Sequence, residues 1–151
     1  MGSGIGSIES AMERIFREAE HEILITTFSI SNETDLLLEW LEGALARGVI
    51  VKIIINKAQE QPAEIIGRIE ELSRSYSHLF LYNFEGGQGN DLHAKVITAD
   101  RKIALVGSSN LSRRGLFHNH ELALLIQGSS AENVSRALDK LISSSLVIRV
   151  Q

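Results

Sequence analysis

Residues 93–110, HAKVITADRKIALVGSSN, predict a β-hairpin, because two apolar, β-branched runs flank a turn-forming pair at Asp100-Arg101. Side chains alternate between the two faces of a strand, so His93 and Lys95 are expected on one face, about 6–7 Å apart. Polar residues at fixed intervals in otherwise apolar strand sequence indicate a functional site rather than a purely structural element.

A two-residue turn pairs Ala99 with Lys102 and, counting back, His93 with Ser108. The hairpin therefore predicts that the segment Gly107–Asn110 lies beside the histidine. Glycine permits a close approach of the backbone, and side-chain and backbone donors in such a segment can bind an oxyanion. The expected donors are Ser108, Ser109 and Asn110.

An imidazole, an ammonium group and several donors at one place suit a phosphate diester. The lysine and the donors would neutralise the phosphate oxygens, and His93 would attack phosphorus or transfer a proton. Asp100 is different, because seven residues of strand, about 23 Å, separate it from His93. That distance excludes a hydrolase triad of Asp100, His93 and Ser108, so we expect Asp100 to be a structural turn residue.

The remaining sequence predicts an α/β fold in which a mixed, mostly parallel β-sheet lies between helices. The first half reads β-α-β-α-β, hence parallel, and the hairpin adds antiparallel pairing. Helices are expected from Ser7, from Pro62 and from Ser130, with another around the apolar stripe 37–45. Strands are expected at 22–28, 49–55, 78–83, 93–99, 102–107, 121–126 and 146–150.

A chain of 151 residues fits one domain, expected over 7–151, after a tag or flexible lead-in at 1–6. The chain has no cysteine and no export signal, which favours a cytoplasmic location. The net charge is −4, yet residues 93–120 hold five basic side chains and one acidic one, leaving −8 on the remainder. A basic segment on an acidic protein predicts a local anion site.

The spacing His93-x-Lys95-x4-Asp100-x6-Gly107-Ser108-x-Asn110 resembles the HKD signature of the phospholipase D superfamily at every defining position. The order of strands and helices over nearly the whole chain also resembles the small single-motif members, which are compact nucleases related to a bacterial periplasmic endonuclease. The run GSSNLSRRGLFHNHELALLI at 107–126 is further similar to phospholipase D-like proteins of bacterial anti-phage defence.

This resemblance implies a homodimer, because family members need two such motifs in each active site and this chain has one. One His93 would form a phosphohistidine, while the other would protonate the leaving oxygen and then activate water. Lys95, Ser108 and Asn110 would hold the phosphate, and Glu121 would orient the histidine. Asp100 and Gly107 would be structural residues of the motif, and the chemistry requires no metal and no cofactor.

Further basic and polar residues follow the motif, and we expect them to contact substrate: Ser109, Arg113, Arg114, His118 and His120. His118 and His120 lack an evident third ligand, so a metal site is not expected there. The sequence thus favours a metal-independent phosphodiesterase, an endonuclease on DNA or RNA. The alternatives are a phospholipase or phosphatidyltransferase on lipids, although no amphipathic membrane-docking segment is found, or a nucleic-acid-binding or dimerisation domain of a larger protein.

Overall fold

The structure, a computed structural model, describes residues 8–27, 35–87, 89–107 and 123–150. Seven strands form one sheet in the order β6-β5-β4-β1-β2-β3-β7. The strands are β1 (Glu22–Thr27), β2 (Ile50–Asn56), β3 (Leu79–Phe84), β4 (Val96–Ala99), β5 (Ile103–Gly107), β6 (Ala123–Gln127) and β7 (Val147–Arg149). The helices are α1 (Ile8–Glu18), α2 (Asp35–Ala46), α3 (Ala63–Ser75) and α4 (Ser129–Ile142), with a 3₁₀ turn at Ala58–Glu60.

The sheet is mixed, as the sequence predicts. Strands β1, β2 and β3 run parallel, and helices connect them. Strand β4 pairs antiparallel with β1, and β5 and β6 continue the antiparallel side. The short β7 pairs antiparallel with β3 at the other edge. Strand β1 is therefore the junction between the parallel and antiparallel halves, which confirms the mixed α/β fold. The expectation of a mostly parallel sheet is wrong, because β4, β5, β6 and β7 all join it by antiparallel pairing.

Helices cover both faces of the sheet, and each face has its own apolar contacts. On one face, α1, α2 and α3 pack on alternate residues of the central strands, such as Ile23, Ile25 and Ile53. On the other face, Leu138 of α4 packs against Leu24. Strands buried on both faces carry continuous apolar sequence, which explains the runs in β1 and β2.

The hairpin is confirmed, but its register differs by one residue from the prediction. Ala99 pairs with Ile103 rather than with Lys102, and Lys95 lies opposite Gly107, whose N–H donates to the Lys95 carbonyl at 3.1 Å. Asp100 and Arg101 both have positive φ (54° and 59°), and the Lys102 N–H donates to the Ala99 carbonyl. That geometry fits a type I′ turn, and Lys102 is the extra residue, as in a β-bulge. The predicted register is therefore wrong by one residue, and Ser108, the predicted partner of His93, lies outside the described residues.

Several predicted boundaries also change, and β2, β3, β5 and β7 each begin one residue later than predicted. Strand β4 begins at Val96, so residues 93–95 precede the ladder instead of forming part of it. Helix α4 begins at Ser129, because Gly128, with φ 77°, turns the chain directly out of β6. Ser130 therefore lies in the first turn of the helix and is not its N-cap. The predicted cap at Ser7 lies outside the described residues.

Asp100 ties the hairpin turn to the start of β1. Its Oδ1 accepts the backbone N–H groups of His21 and Glu22 at 2.7 and 2.9 Å, and its Oδ2 accepts that of Glu20 at 2.9 Å. Burial alone would raise the pKa of the Asp100 carboxyl, but these N–H donors outweigh it and lower the pKa below 3.8. Asp100 therefore stabilises the folded hairpin as a carboxylate.

Replacing Asp100 should destabilise the fold in a pH-dependent way. We expect Asp100→Ala to lower the free energy of unfolding by about 2 kcal/mol, since it loses the charged acceptor, and Asp100→Asn by about 1 kcal/mol, since asparagine tolerates positive φ. The lowered pKa means that the carboxylate contributes fully above pH 3.8 and loses its effect as the pH falls through the folded-state pKa. Urea unfolding as a function of pH measures this, and a wild-type advantage over Asp100→Asn that did not shrink below pH 3.8 would contradict it.

Candidate active site

His93 and Lys95 lie at the edge of the sheet where the parallel strands end. Strand β4 runs antiparallel to β1, so its first residue, Val96, pairs with Thr26 near the carboxyl end of β1. The preceding His93 is exposed and Lys95 is half-buried. In α/β sheets this carboxyl edge is where ligands commonly bind.

A buried hydroxyl holds the backbone on either side of Lys95. Thr26 Oγ1 donates to the Ala94 carbonyl at 2.9 Å and accepts the Val96 N–H at 3.1 Å. The Thr26 side chain is only 2% exposed, so these bonds are sheltered from competing water. The hydroxyl thus takes part in the pairing of β1 with β4 where the ladder ends.

A buried amide holds the residue before His93. Asn56, the last residue of β2, accepts the Leu92 N–H on Oδ1 at 2.8 Å. Leu92 itself packs in an apolar cluster with Ile54 and Phe84. The approach of the chain to His93 is therefore anchored by both a hydrogen bond and a buried side chain.

Gly107 and Ala123, which bracket residues 108–122, lie near Lys95: Gly107 is opposite it, and Ala123 pairs with Gly107 on the next strand. They line a small cavity with Lys95 and Thr26, closed on the other side by α1 residues. Its volume of about 20 Å³ has room for little more than one water molecule. The chain thus leaves β5 and enters β6 close to Lys95, the predicted phosphate-binding lysine.

A charged pair lies near His93 at the same edge. Lys57 Nζ contacts Asp91 Oδ1 at 2.8 Å, and Asn56 Nδ2 donates to the same oxygen at 3.3 Å. The hydrogen bond from Lys57, helped by Asn56 and by the nearby charge of His93, lowers the pKa of the Asp91 carboxyl, and the same bond raises the pKa of Lys57. Lys57 also has φ 45°, a left-handed backbone conformation that is uncommon for lysine.

The sequence reasoning missed the residues that support His93. Thr26, Asn56, Lys57 and Asp91 stand outside the motif, and their contacts join segments 34 to 70 residues apart. A local signal existed, because Thr26 and Asn56 are polar residues at the ends of apolar strands. Carboxyl ends of parallel strands converge, so such residues can be flagged before a structure is known.

Most of the predicted site residues fall in 108–122, outside the described residues. They remain predictions: Ser108, Ser109, Asn110, Arg113, Arg114, His118, His120 and Glu121. The structure does bring Lys95 and Gly107 together, on neighbouring strands. Asp100 lies at the opposite end of β4 from His93, against the segment that precedes β1.

A larger cavity lies at the Asp100 end of β4, and neither His93 nor Lys95 lines it. Its volume is about 820 Å³, and Arg14, Arg47, Asp100 and Lys102 are among its lining residues. Arg14 is paired with Glu18, and Arg47 donates to backbone carbonyls of Phe16 and Ala19. The larger cavity and the predicted site residues His93 and Lys95 therefore lie at opposite ends of β4.

A family model described as "Cardiolipin synthase, PLD-like domain" matches residues 12–143, most of the chain. The chain belongs to the phospholipase D superfamily. It is 32% identical over 138 residues to the DISARM protein DrmC of Bacillus paralicheniformis, covering 90% of this chain and 56% of that protein. It is 31% identical over 148 residues to cardiolipin synthase A of Wigglesworthia glossinidia brevipalpis, covering 92% of this chain and 28% of that protein. The chain thus spans about half, or less, of the length of these relatives.

Solved structures of the superfamily share the fold. Nuc from Salmonella typhimurium, a phospholipase D family member, superposes with a TM-score of 0.76 at 23% identity, over 89% of this chain and 86% of that chain. NucT from Helicobacter pylori superposes with a TM-score of 0.73 at 17% identity, over 88% of this chain and 85% of that one. At these identities the likeness establishes the fold alone.

Replacing Lys57 should change the titration of Asp91. We expect Lys57→Met to raise the pKa of the Asp91 carboxyl towards its ordinary value of 3.8, because the lysine hydrogen bond is the largest cause of its lowering. An NMR titration of the side-chain carboxyl carbon measures this. Lys52→Met, on β2, is the matched control, and an equal change in both variants would contradict the pairing.

Proposed function

We propose that this protein is a metal-independent phosphodiesterase that cleaves nucleic acid as a homodimer. The observation that carries the proposal is the position of His93 and Lys95 at the carboxyl edge of the central strands, in a chain of the phospholipase D superfamily. Side chains of β1 and β2 hold the backbone of this segment, as a reacting group requires. An exposed imidazole there can reach a substrate in solvent.

The proposed reaction has two steps. In the first, the imidazole of one His93 attacks phosphorus, a nitrogen–phosphorus bond forms, and the bond to the leaving oxygen breaks. The partner's His93 gives that oxygen its proton, so an alcohol departs. In the second, the same partner histidine takes a proton from water, whose oxygen attacks phosphorus. The nitrogen–phosphorus bond then breaks, and both histidines return to their starting states.

Charge stabilisation in both steps falls to the residues around the histidine. Lys95 would neutralise the phosphate oxygens as negative charge develops, with Asn110 and Ser108 as hydrogen-bond donors. Glu121 would accept a hydrogen bond from the attacking imidazole and orient it. The location of Gly107 opposite Lys95, with Ala123 paired to Gly107, supports this, since both ends of the segment that carries these residues attach near the lysine.

Nucleic acid is the substrate that the charge distribution favours. The basic segment 93–120 stands on an otherwise acidic chain, so a polyanion would be attracted to this segment and repelled by the remainder. Arg113 and Arg114 are expected to contact the phosphates next to the scissile one. His118, His120 and Ser109 are expected to contribute further polar contacts.

A lipid phosphodiester is the second candidate substrate. Its support is the family description and the 31% identity to a cardiolipin synthase A. The same histidine chemistry would serve, with an alcohol in place of water as the second nucleophile. Among the described helices, none is long and apolar enough to cross a bilayer. Phosphatidyl transfer on vesicles without nuclease activity would favour this candidate.

His93→Ala should abolish cleavage of DNA or RNA measured in the presence of EDTA. We expect a loss of at least about 1,000-fold in kcat, because the nucleophile itself is removed. Cleavage of labelled single- and double-stranded substrates, followed on denaturing gels, measures this. His21→Ala changes an exposed histidine whose backbone N–H, rather than its side chain, binds Asp100, and this variant should retain full activity.

Two results would contradict the proposal. One is a wild-type protein that cleaves no nucleic acid with EDTA present, and the other is a His93→Ala variant as active as wild type. Salt-dependent DNA binding without cleavage would instead support a binding domain, the third reading of the sequence.

The homodimer can be tested without substrate. Light scattering coupled to gel filtration should give twice the mass of one chain, because one motif supplies only one of the two histidines that the reaction uses. Activity per chain should fall on dilution below the dissociation constant. A monomer that keeps full specific activity at every concentration would contradict the shared site.

A further inference from the structure

The backbone around His93 leaves the regular ladder, and two buried side chains bind it. Thr26 binds the Ala94 carbonyl and the Val96 N–H, on either side of Lys95. Asn56 binds the Leu92 N–H, directly before His93. The two polar side chains are 2% and 3% exposed. Neither residue belongs to the motif, and both lie near the carboxyl ends of adjacent parallel strands.

We propose that Thr26 and Asn56 are positioning residues that fix the backbone on both sides of His93 and Lys95. The inference rests on the proposed phosphodiesterase function, because its consequence is a correctly placed nucleophile. A displacement of about 1 Å at a reacting group can cost about 100-fold in rate, so a loosened backbone would impair the chemical step.

The bonding pattern indicates why threonine is needed at position 26. Its hydroxyl must donate to one backbone group and accept from another, and a hydroxyl is a small side-chain group that does both. Valine has the same shape and strand preference but can do neither. Serine retains the hydroxyl and loses only a methyl group.

The Asn56 amide extends this arrangement to the charged pair. Its Oδ1 accepts from Leu92, and its Nδ2 donates to Asp91, which is bound to Lys57. One side chain therefore joins the end of β2 to both residues that precede His93. The backbone carbonyl of Asn56 accepts a hydrogen bond from the Gln61 side chain, which follows the 3₁₀ turn.

The chain offers a matched control for each position. Thr98 lies opposite Leu24 on the same sheet face as Thr26, is fully buried, and its hydroxyl has no hydrogen-bond partner among the residues the structure describes. Asn83 is buried near the end of β3, but its Oδ1 accepts the Ala58 N–H instead of binding the histidine segment.

The test compares steady-state kinetics of these variants. Thr26→Val should lower kcat about 10- to 100-fold and change KM less than about 3-fold, since the loss falls on the chemical step. Thr26→Ser should retain most of the activity, and Thr98→Val should equal wild type. Asn56→Ala should lower kcat while Asn83→Ala, which also loses a buried hydrogen bond, should not. Thr26→Ala replaces Thr26→Val should the valine variant fail to fold.

Amide hydrogen exchange provides a readout that does not depend on activity. Thr26→Val should accelerate exchange at Val96, and Asn56→Ala at Leu92, while Ile53 and other central amides stay protected. Unchanged exchange at Val96 and Leu92 in these variants would overturn the inference. So would a loss of kcat in Thr98→Val as large as that in Thr26→Val, or a loss in Asn83→Ala as large as that in Asn56→Ala. An inactive wild-type protein whose variants still show this exchange pattern would refute the proposed function and leave the positioning contacts supported.

Discussion

Strand β4 is held against β1 by side chains at both ends, and this constraint determines where the motif lies. At the turn, the Asp100 carboxylate accepts three backbone N–H groups that precede or begin β1. At the other end, the Thr26 hydroxyl binds the backbone on both sides of Lys95. Because β1 is the centre of the sheet, the histidine segment is attached to the best-buried part of the protein.

The two ends of β4 consequently have different tasks. Asp100 belongs to the motif by sequence, but its contacts hold the turn, and it lies away from His93. The edge with His93 and Lys95 gathers the polar ends of the parallel strands and the pair Lys57–Asp91. The turn contacts of Asp100 are thus separated by the length of β4 from the predicted reactive groups.

Much of the fold could be predicted from sequence, because apolar runs and helical stripes are local signals. The parallel half, the hairpin and the helices on both faces follow from such patterns. The hairpin register could not, since it depends on Lys102 lying outside the ladder, which a count from Asp100-Arg101 misses. Thr26 was also missed, because its partners lie 68 and 70 residues away and no motif contains it.

The central claim is that His93 carries the phosphoryl group during the reaction, and trapping that intermediate tests it most directly. Wild-type protein mixed with a phosphodiester labelled at the scissile phosphate and denatured under alkaline conditions, where phosphohistidine survives, should retain label. Mass spectrometry of the digested protein should place the label on His93, and His93→Ala should retain none. Label on another residue, or turnover without any trapped label under conditions that preserve phosphohistidine, would contradict the mechanism.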